Sequence, residues 1–256
     1  MSAVGNIRCW LVAVAAVAGG CNLPGVPNKA DRPVPANKVV DFNVLYAARC
    51  AGCHGDDGKL GPAPPLNDAI FLAIVPDEEL LRVVREGRNV SPAHKTPMPG
   101  FDHKSGGPLT DAQVNVLAEG IKKRWQDSTT IPTQLSSLPT YFADKAADAG
   151  NKEEGTRVFA RACAGCHGDD GKGHKDGKPL RSGAVNDPAF LALISDQELR
   201  RIIISGRPDL GMPSYADKTG RPDGFRALTS AEIDHLAALL RQWRIGSSNP
   251  QMASRD

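Results

Sequence analysis

The sequence predicts an all-α protein made of two tandem domains, and three observations indicate this fold. A stretch of ten residues, 50–59, recurs unchanged as residues 163–172, which is typical of an internal duplication. Around each copy, apolar residues recur at helical spacing and follow the signals that start helices. No strand-type alternation of useful length is present in the sequence. We therefore expect helices in both halves and no sheet.

Residues 1–21 are predicted to be an export signal. Arg8 supplies a positive charge, and the apolar run from Trp10 to Ala18 is too short to span a bilayer comfortably. The run ends in Gly-Gly-Cys, which resembles the bacterial lipoprotein signal, whose cysteine (here Cys21) is acylated. Ala18 departs from that signal, where Leu is preferred, so ordinary secretion and an uncleaved anchor stay open. We expect a chain exported to the bacterial periplasm and tethered to the membrane through a lipid on Cys21.

A flexible tether and the first domain follow. Residues 22–38 are rich in Pro and Asn, a composition that buries no core. The first domain is predicted over residues 39–125. Its helices are expected over residues 41–49, from Asp77 to Gly87, and from a Thr110-x-x-Gln113 capping box to Trp125, with a loop at 89–107.

The second domain is predicted over residues 153–245, after a linker at 126–152 and before a polar tail at 246–256. Its Asn186-Asp187 pair matches Asn67-Asp68 of the first domain. Ser195-x-x-Glu198 and Thr229-x-x-Glu232 predict the starts of its middle and last helices. The pair Tyr141-Phe142 is expected to fix part of the linker to a domain.

The core of each repeat is C-x-x-C-H, a site for attachment of a c-type haem. Two thiols one helical turn apart can each form a thioether with one porphyrin, and the adjacent imidazole can bind its iron. With six Cys and six His in 256 residues, chance would give about 0.003 such motifs. The sequence therefore predicts two covalent haems, attached through Cys50 and Cys53 and through Cys163 and Cys166.

Composition excludes one class of partner and accounts for the remaining cysteines. The formal net charge is only +2, and no basic stripe indicates nucleic-acid binding. Four of the six cysteines lie in the two haem motifs, and Cys9 and Cys21 lie in the N-terminal stretch. No pair is left that suggests a structural disulfide.

With a haem motif, a middle helix, a loop and a last helix, each half resembles class I cytochrome c. The flanks are similar to the shorter bacterial members, including the domains of the dihaem subunit of certain haem–copper oxidases. The resemblance covers residues 40–125 and 153–245. It implies that His54 and His167 are proximal iron ligands and that Met98 and Met212 are distal ones. The intervals from His to Met, 44 and 45 residues, are nearly equal.

The resemblance also implies a loop proline whose carbonyl accepts the Nδ1–H of the proximal histidine. Pro179 is the candidate in the second half, whereas Pro62, Pro64 and Pro65 compete in the first. The remaining histidines are expected to be exposed or to pack, and they are His94, His103, His174 and His235. His94 and His103 are the rivals of Met98 if that ligand is replaced.

Outer-sphere electron transfer is the function that these features favour, because a haem with both axial positions filled offers substrate no open site. The chain would then be an electron carrier and not an enzyme, with one redox protein as donor and another as acceptor. A haem-bearing subunit docked to a membrane respiratory complex would use the same chemistry. The alternative is a dihaem peroxidase-type or sulfur-oxidising enzyme in which one haem opens. A zinc module is disfavoured, because each motif lacks a paired fourth ligand.

Overall fold

The computed structural model describes residues 32–91, 94–126, 138–143, 150–173 and 183–247. The predicted signal, with Cys21, therefore lies outside the described residues. The described residues fall into two units, with the boundary between residues 38 and 39. In the first unit, Ala36–Lys38 form a single 3₁₀ turn. The division of the second unit into domains at residues 126–152 stays a prediction.

The first half of the second unit is helical, with one short hairpin. Its elements are α1 Phe42–Arg49, α2 Ala51–His54, α3 Ala69–Ile74, α4 Asp77–Glu86, β1 Gly87–Ser91, β2 His94–Pro99, a 3₁₀ turn at His103–Ser105, and α5 Asp111–Trp125. The capping box predicted at Thr110 and Gln113 is confirmed in both directions, and it starts α5 by satisfying free N–H groups at its first turn.

The second half repeats the helices in the same order. Its elements are α6 Lys152–Ala162, α7 Ala164–His167, α8 Pro188–Leu193, α9 Asp196–Ser205, a 3₁₀ turn at Pro208–Leu210, and α10 Ser230–Ser247. Ser195 caps α9 through the N–H of Glu198, as predicted. Thr229 and Glu232 form a reciprocal box at the start of α10. The prediction of a mainly helical fold is confirmed.

The hairpin of β1 and β2 departs from the predicted loop at 89–107. The two strands are antiparallel, with Gly87 opposite Pro99 and Asn89 opposite Lys95, and the register shifts twice along them. Each shift offsets the backbone pairing of the two strands. A regular alternation of apolar and polar residues is therefore absent, and the sequence pattern does not reveal the strands.

Each half is built around a crossing of its first and last long helices. A methyl group on Gly120 of α5 would lie 2.1 Å from the ring of Phe42 on α1. A methyl group on Gly155 of α6 would lie 2.2 Å from the carbonyl oxygen of His235 on α10. Gly120 therefore makes room for the Phe42 ring at the first crossing, and Gly155 permits the two backbones to approach closely at the second. The best-buried core side chains below the crossings include Leu72, Val114, Leu117, Ile121, Leu191, Ile204, Ile233 and Leu236.

The two halves also contact each other within the second unit. Helix α3 contacts α9, and strand β2 contacts α8. Residues 138–143 add a third contact, because Tyr141 is buried and its ring lies 6.4 Å from that of Phe71. Arg200, on α9, donates to the carbonyls of Thr140 and Tyr141 and pairs with Asp234 on α10. This part of the predicted linker is thus packed between elements of both halves.

Among the helices that the structure describes, none combines the length and the apolar character that crossing a bilayer requires.

Candidate functional site

Each C-x-x-C-H motif forms a single helical turn directly after a longer helix. Cys50 ends α1, and its carbonyl accepts from the N–H groups of Cys53 at 3.1 Å and His54 at 2.9 Å. The carbonyl of Cys163 accepts from Cys166 at 3.1 Å and from His167 at 3.0 Å. The turn places two sulfurs and one imidazole on a short segment with the same backbone geometry in both halves.

No disulfide joins the four cysteines of the motifs, and the pKa values of two of these thiols are strongly raised. Burial, with the neighbouring Cys53, raises the pKa of Cys50 to about 12. Burial likewise raises the pKa of Cys163 to about 11, although Arg221 opposes the shift. A raised pKa keeps the Cys50 and Cys163 sulfurs in the neutral form, whereas reactive thiolates need a lowered one. A neutral thioether, in contrast, suits a buried position.

His54 is oriented by the loop that follows its helix. Its Nδ1 lies 3.0 Å from the carbonyl oxygen of Pro64; since a carbonyl can only accept, Nδ1 carries the proton and Nε2 keeps its lone pair. Burial lowers the pKa of His54, the bond to Pro64 opposes this, and the charge of Arg201 lowers the pKa further. The result is a neutral imidazole whose Nε2 can bind a metal.

His167 has the same arrangement with a different acceptor. Its Nδ1 lies 3.0 Å from the carbonyl oxygen of Gly183, and burial lowers its pKa. The expectation of Pro179 is therefore wrong: the hydrogen bond goes to Gly183, and Pro179 lies outside the described residues. In the first half, Pro64 is selected from the three competing prolines.

The two acceptors are equivalent when they are counted from the shared Asn-Asp pair. Pro64 stands three residues before Asn67, and Gly183 stands three residues before Asn186. The loop between the motif and the Asn is longer in the second half, so counting forward from the histidine fails. Once Pro64 is known as the acceptor, counting back from the Asn identifies Gly183, because the hydrogen bond uses a backbone carbonyl and needs no proline.

The asparagine of each pair fastens this loop, a role that sequence reasoning missed. Nδ2 of Asn67 donates to the carbonyl of Asp57 at 3.0 Å, and Nδ2 of Asn186 donates to that of Asp170 at 2.8 Å. Both bonds close the loop back onto the last residues of the repeated decapeptide. The signal was available, since the asparagine is shared by both halves, but a hydrogen bond to a backbone carbonyl leaves no further mark in the sequence.

The motif glycine and the last tryptophan of each half also meet. A methyl group on Gly58 would lie 3.0 Å from the ring of Trp125, and one on Gly171 would lie 2.7 Å from the ring of Trp243. Both glycines have a positive φ, 71° and 73°, a conformation that other residues adopt only at a cost. The last helix of each half thus supports the turn after the C-x-x-C-H motif.

Met98 and Met212 occupy equivalent places beside the end of the middle helix. Both are half-buried, Met98 on β2 and Met212 after the 3₁₀ turn. A methyl group on Gly87 would lie 2.5 Å from the carbonyl oxygen of Met98, and one on Gly206 would lie 2.6 Å from that of Met212. The duplication has therefore kept the same backbone contact at both methionines, although one lies in a strand and the other in a loop.

The four remaining histidines, including the rivals His94 and His103, either have other contacts or have side chains outside the described part of the chain. Nδ1 of His103 lies 3.0 Å from the carbonyl oxygen of Gly107. Nδ1 of His235 accepts from the N–H of Asn151 at 2.8 Å. Only the backbone of His94 is described, and His174 lies outside the described residues.

The donors present fit a covalently attached haem. Each half offers two cysteine sulfurs on one turn, an imidazole whose Nδ1 bonds a loop carbonyl, and a methionine whose backbone carbonyl lies against the glycine that ends the middle helix. Within the described ranges, no three or more side chains of His, Cys, Asp or Glu are grouped to hold a bare metal ion. Two cysteine sulfurs beside a neutral, oriented imidazole are the groups that a c-type haem requires.

Comparison with known proteins identifies the two halves as repeats of one family. The family model described as cytochrome c oxidase, cbb3-type, subunit III, matches residues 37–119 and again residues 150–239. Both matched segments contain a C-x-x-C-H motif, a middle helix and a candidate methionine.

Curated relatives are similar over most of the chain. A cbb3-type cytochrome c oxidase subunit FixP of Sinorhizobium medicae is 28% identical over 70% of this chain and 54% of its own length. The subunit FixPc of Rhizobium leguminosarum bv. viciae is 27% identical over 68% of this chain and 53% of its own length. The FixP subunit of Bradyrhizobium diazoefficiens is 27% identical over 67% and 52%. The chain thus spans about half the length of these relatives.

Proposed function

The chain belongs to the family of subunit III of cbb3-type cytochrome c oxidase, and from this membership we propose that it transfers single electrons through two covalently attached haems in a respiratory chain. The observation that carries the proposal is the pair of C-x-x-C-H turns, each with the histidine Nδ1 on a loop carbonyl at 3.0 Å. This hydrogen bond leaves Nε2 free for iron and fixes the direction of the ring.

The proposed roles divide the site residues into three groups. Cys50, Cys53, Cys163 and Cys166 attach the haems, His54 and His167 are the proximal ligands, and Met98 and Met212 are the distal ligands. A c-type haem supplies an iron that accepts and donates one electron. A thioether ligand stabilises the reduced iron relative to a second imidazole, so the methionines would set a comparatively high potential.

The support for the methionines is their equivalent placement. In both halves the methionine carbonyl lies against the glycine that ends the middle helix. With both axial positions occupied by protein side chains, electrons would enter and leave through the haem edge with little rearrangement. The chain would then be a carrier with a redox protein on either side of it.

We further propose association with a membrane respiratory complex, because the matched relatives are named as subunits of a cbb3-type oxidase. Export to the periplasm and a lipid on Cys21 complete the proposal, and both rest on residues 1–21 of the sequence. Mass spectrometry of the mature N-terminus tests the anchor directly: an acylated Cys21 supports it, and an unmodified residue at another position excludes it.

The experiment that tests the function is a redox titration of the purified holoprotein followed by absorption. Covalent attachment is checked first, as haem that stays with the chain after denaturation. We expect two low-spin haems, each with the near-infrared sulfur-to-iron band, and no adduct with carbon monoxide.

One haem that lacks the sulfur band and binds carbon monoxide would contradict the carrier function. The half that contains this haem would then have an open iron position, as a dihaem peroxidase or a sulfur-oxidising enzyme requires. Loss of all haem on denaturation would instead contradict covalent attachment.

A further inference from the structure

One arginine of the second half contacts the loop that orients His54 in the first. Arg201 lies on α9, and its side chain is only 6% exposed. Its Nη2 donates to the carbonyl oxygen of Pro65. Pro65 directly follows Pro64, whose carbonyl accepts from Nδ1 of His54. The guanidinium therefore holds the peptide next to the one that fixes the imidazole.

Further contacts keep Arg201 in this position. Its Cζ lies 3.5 Å from the centre of the Phe71 ring, on α3 of the first half. Its Nη1 lies 3.3 Å from Oε1 of Glu198, and the other oxygen of Glu198 lies 3.2 Å from Nη1 of Arg88. A planar guanidinium can stack on a ring and donate in its own plane at once, whereas an ammonium group cannot.

The charge of Arg201 is only partly neutralised where it lies. Glu198 is shared with Arg88, and Nε of Arg201 has no hydrogen-bond partner among the described residues. Asp68 is also nearby and buried, and burial raises its pKa although Arg201 opposes the shift. Buried charges are weakly screened, so this guanidinium acts on its surroundings as a fixed positive charge.

Within the described part of the chain, the equivalent arginine of the first half has the glutamate pair but not the contacts with a histidine loop and a phenylalanine ring. Arg82 is the sixth residue of α4, as Arg201 is the sixth of α9. Both pair with a glutamate three residues earlier, Arg82 with Glu79 at 2.7 Å. The Arg82 side chain is 47% exposed. The duplication therefore offers the same intrahelical pair twice, once in solvent and once against the histidine loop of the other half.

We propose that Arg201 is a positioning residue for the redox site of the first half: it fixes the loop behind His54 and raises the reduction potential of that site. The proposal rests on the proposed function and deepens it. One electron from an external donor converts ferric to ferrous iron and lowers the charge of the site by one unit. A fixed cation nearby stabilises the more reduced state.

The test compares Arg201→Gln with Arg82→Gln in the holoprotein. Each haem is followed separately by the shifted methyl proton signals of its oxidised form, assigned to a half with Met98→Ala and Met212→Ala. We expect Arg201→Gln to move the reduction equilibrium of the first haem toward the oxidised state by about tenfold, which is 59 mV for one electron. The second haem should stay unchanged, and Arg82→Gln should move neither.

Two further variants separate charge from geometry and protect the test against a folding defect. Arg201→Lys keeps the charge but not the stacked, forked geometry, so we expect a smaller shift in the same direction. Glu198→Gln keeps Arg201 and removes the compensating charge, so we expect the first potential to rise. A general loosening of the site would not lower the potential in Arg201→Gln and raise it in Glu198→Gln.

Each result has one meaning. Equal shifts of both haems, no shift in any variant, or the same shift with Arg82→Gln would overturn the role of Arg201 while leaving the electron carrier intact. A wild-type protein without two attached haems would overturn the proposed function itself, and the role of Arg201 with it.

Discussion

A thioether sulfur on iron favours the reduced state, so under the proposed ligation two single residues set the two potentials. Met98→Ala should leave both haems attached and lower the potential of the first haem by at least about 59 mV, the equivalent of a tenfold change for one electron. Met212→Ala should do the same to the second haem. Titration of both variants is the measurement, and unchanged potentials in both would rule out these ligands.

For single residues, the sequence reveals which groups bind the haem better than it reveals the hydrogen-bond partners of those groups. The attachment cysteines and proximal histidines follow from one motif whose spacing the covalent chemistry imposes. The acceptor Gly183 was missed because it acts through its backbone carbonyl, which every residue possesses. Arg201 was missed because its role depends on a loop 136 residues away, and no local pattern records such a contact.

At the scale of elements, Gly206, which ends the middle helix of the second half, leaves no room for a side chain between itself and the backbone of Met212. Gly206 has φ 74°, and a methyl group on it would lie 2.6 Å from the carbonyl of Met212. Gly206→Ala should therefore cost about 1–3 kcal/mol of folding stability and weaken the sulfur band of the second haem. Urea unfolding and near-infrared absorption measure the two effects.

Gly224→Ala is the matched control for this change. Gly224 has φ 77°, and the space around it is open to at least 4 Å. The alanine should cost about 1 kcal/mol through backbone strain alone and leave the sulfur band intact. Loss of the band in this variant as well would show that general strain, and not the contact at Met212, disturbs the ligand.

The start of α10 makes a second prediction at this scale. Burial alone would raise the pKa of Glu232, but hydrogen bonds from Arg226 and the Thr229 N–H, with the charge of Arg161, lower it to about 2. A carboxylate whose pKa is depressed on folding stabilises the protein above its unfolded value of about 4.5. This contribution is then lost as the pH falls from about 4.5 to about 2.

Glu232→Gln should therefore cost about 1–2 kcal/mol at neutral pH, and the difference from the wild type should shrink as the pH falls through this window. Urea unfolding at several pH values measures it. Glu153→Gln is the control, because the Glu153 side chain is 63% exposed and its loss should have little effect on stability. A difference that stays constant down to pH 2 would contradict the assignment.

Helices were the predictable elements, and the reason is that their signals are local. The capping residues Thr110, Ser195 and Thr229 all start the helices predicted from them, since a cap and its partner lie three residues apart. The hairpin of β1 and β2 was not predicted, because its register shifts remove the alternation that would mark it. Its pairing depends on backbone contacts between the two strands and not on a repeat along the chain.

For the molecule as a whole, residues 39–256 form one compact unit, although the duplication alone would suggest two separable bodies. Tyr141 is 3% exposed, and Arg200, which binds its carbonyl, is 2% exposed. Removing a buried, hydrogen-bonded charge of this kind is costly. The contacts between the halves should therefore couple their unfolding.

We predict a single unfolding transition for both halves of the holoprotein. Trp125→Phe and Trp243→Phe each leave one of the two tryptophans that pack on a motif glycine, so their fluorescence reports on one half at a time. The urea midpoints of the two halves should coincide, as two-state unfolding requires. Two separate midpoints would mean that each half unfolds alone.

The contact of Arg201 with Pro65 has a consequence for the energetics of the whole unit. If the docked second half stabilises the reduced form of the first site, thermodynamic reciprocity requires that reduction stabilises docking by the same factor. The electron then behaves as a ligand of the assembled protein. Reduction of the first haem would then strengthen the docking of the two halves, and its oxidation would weaken this docking.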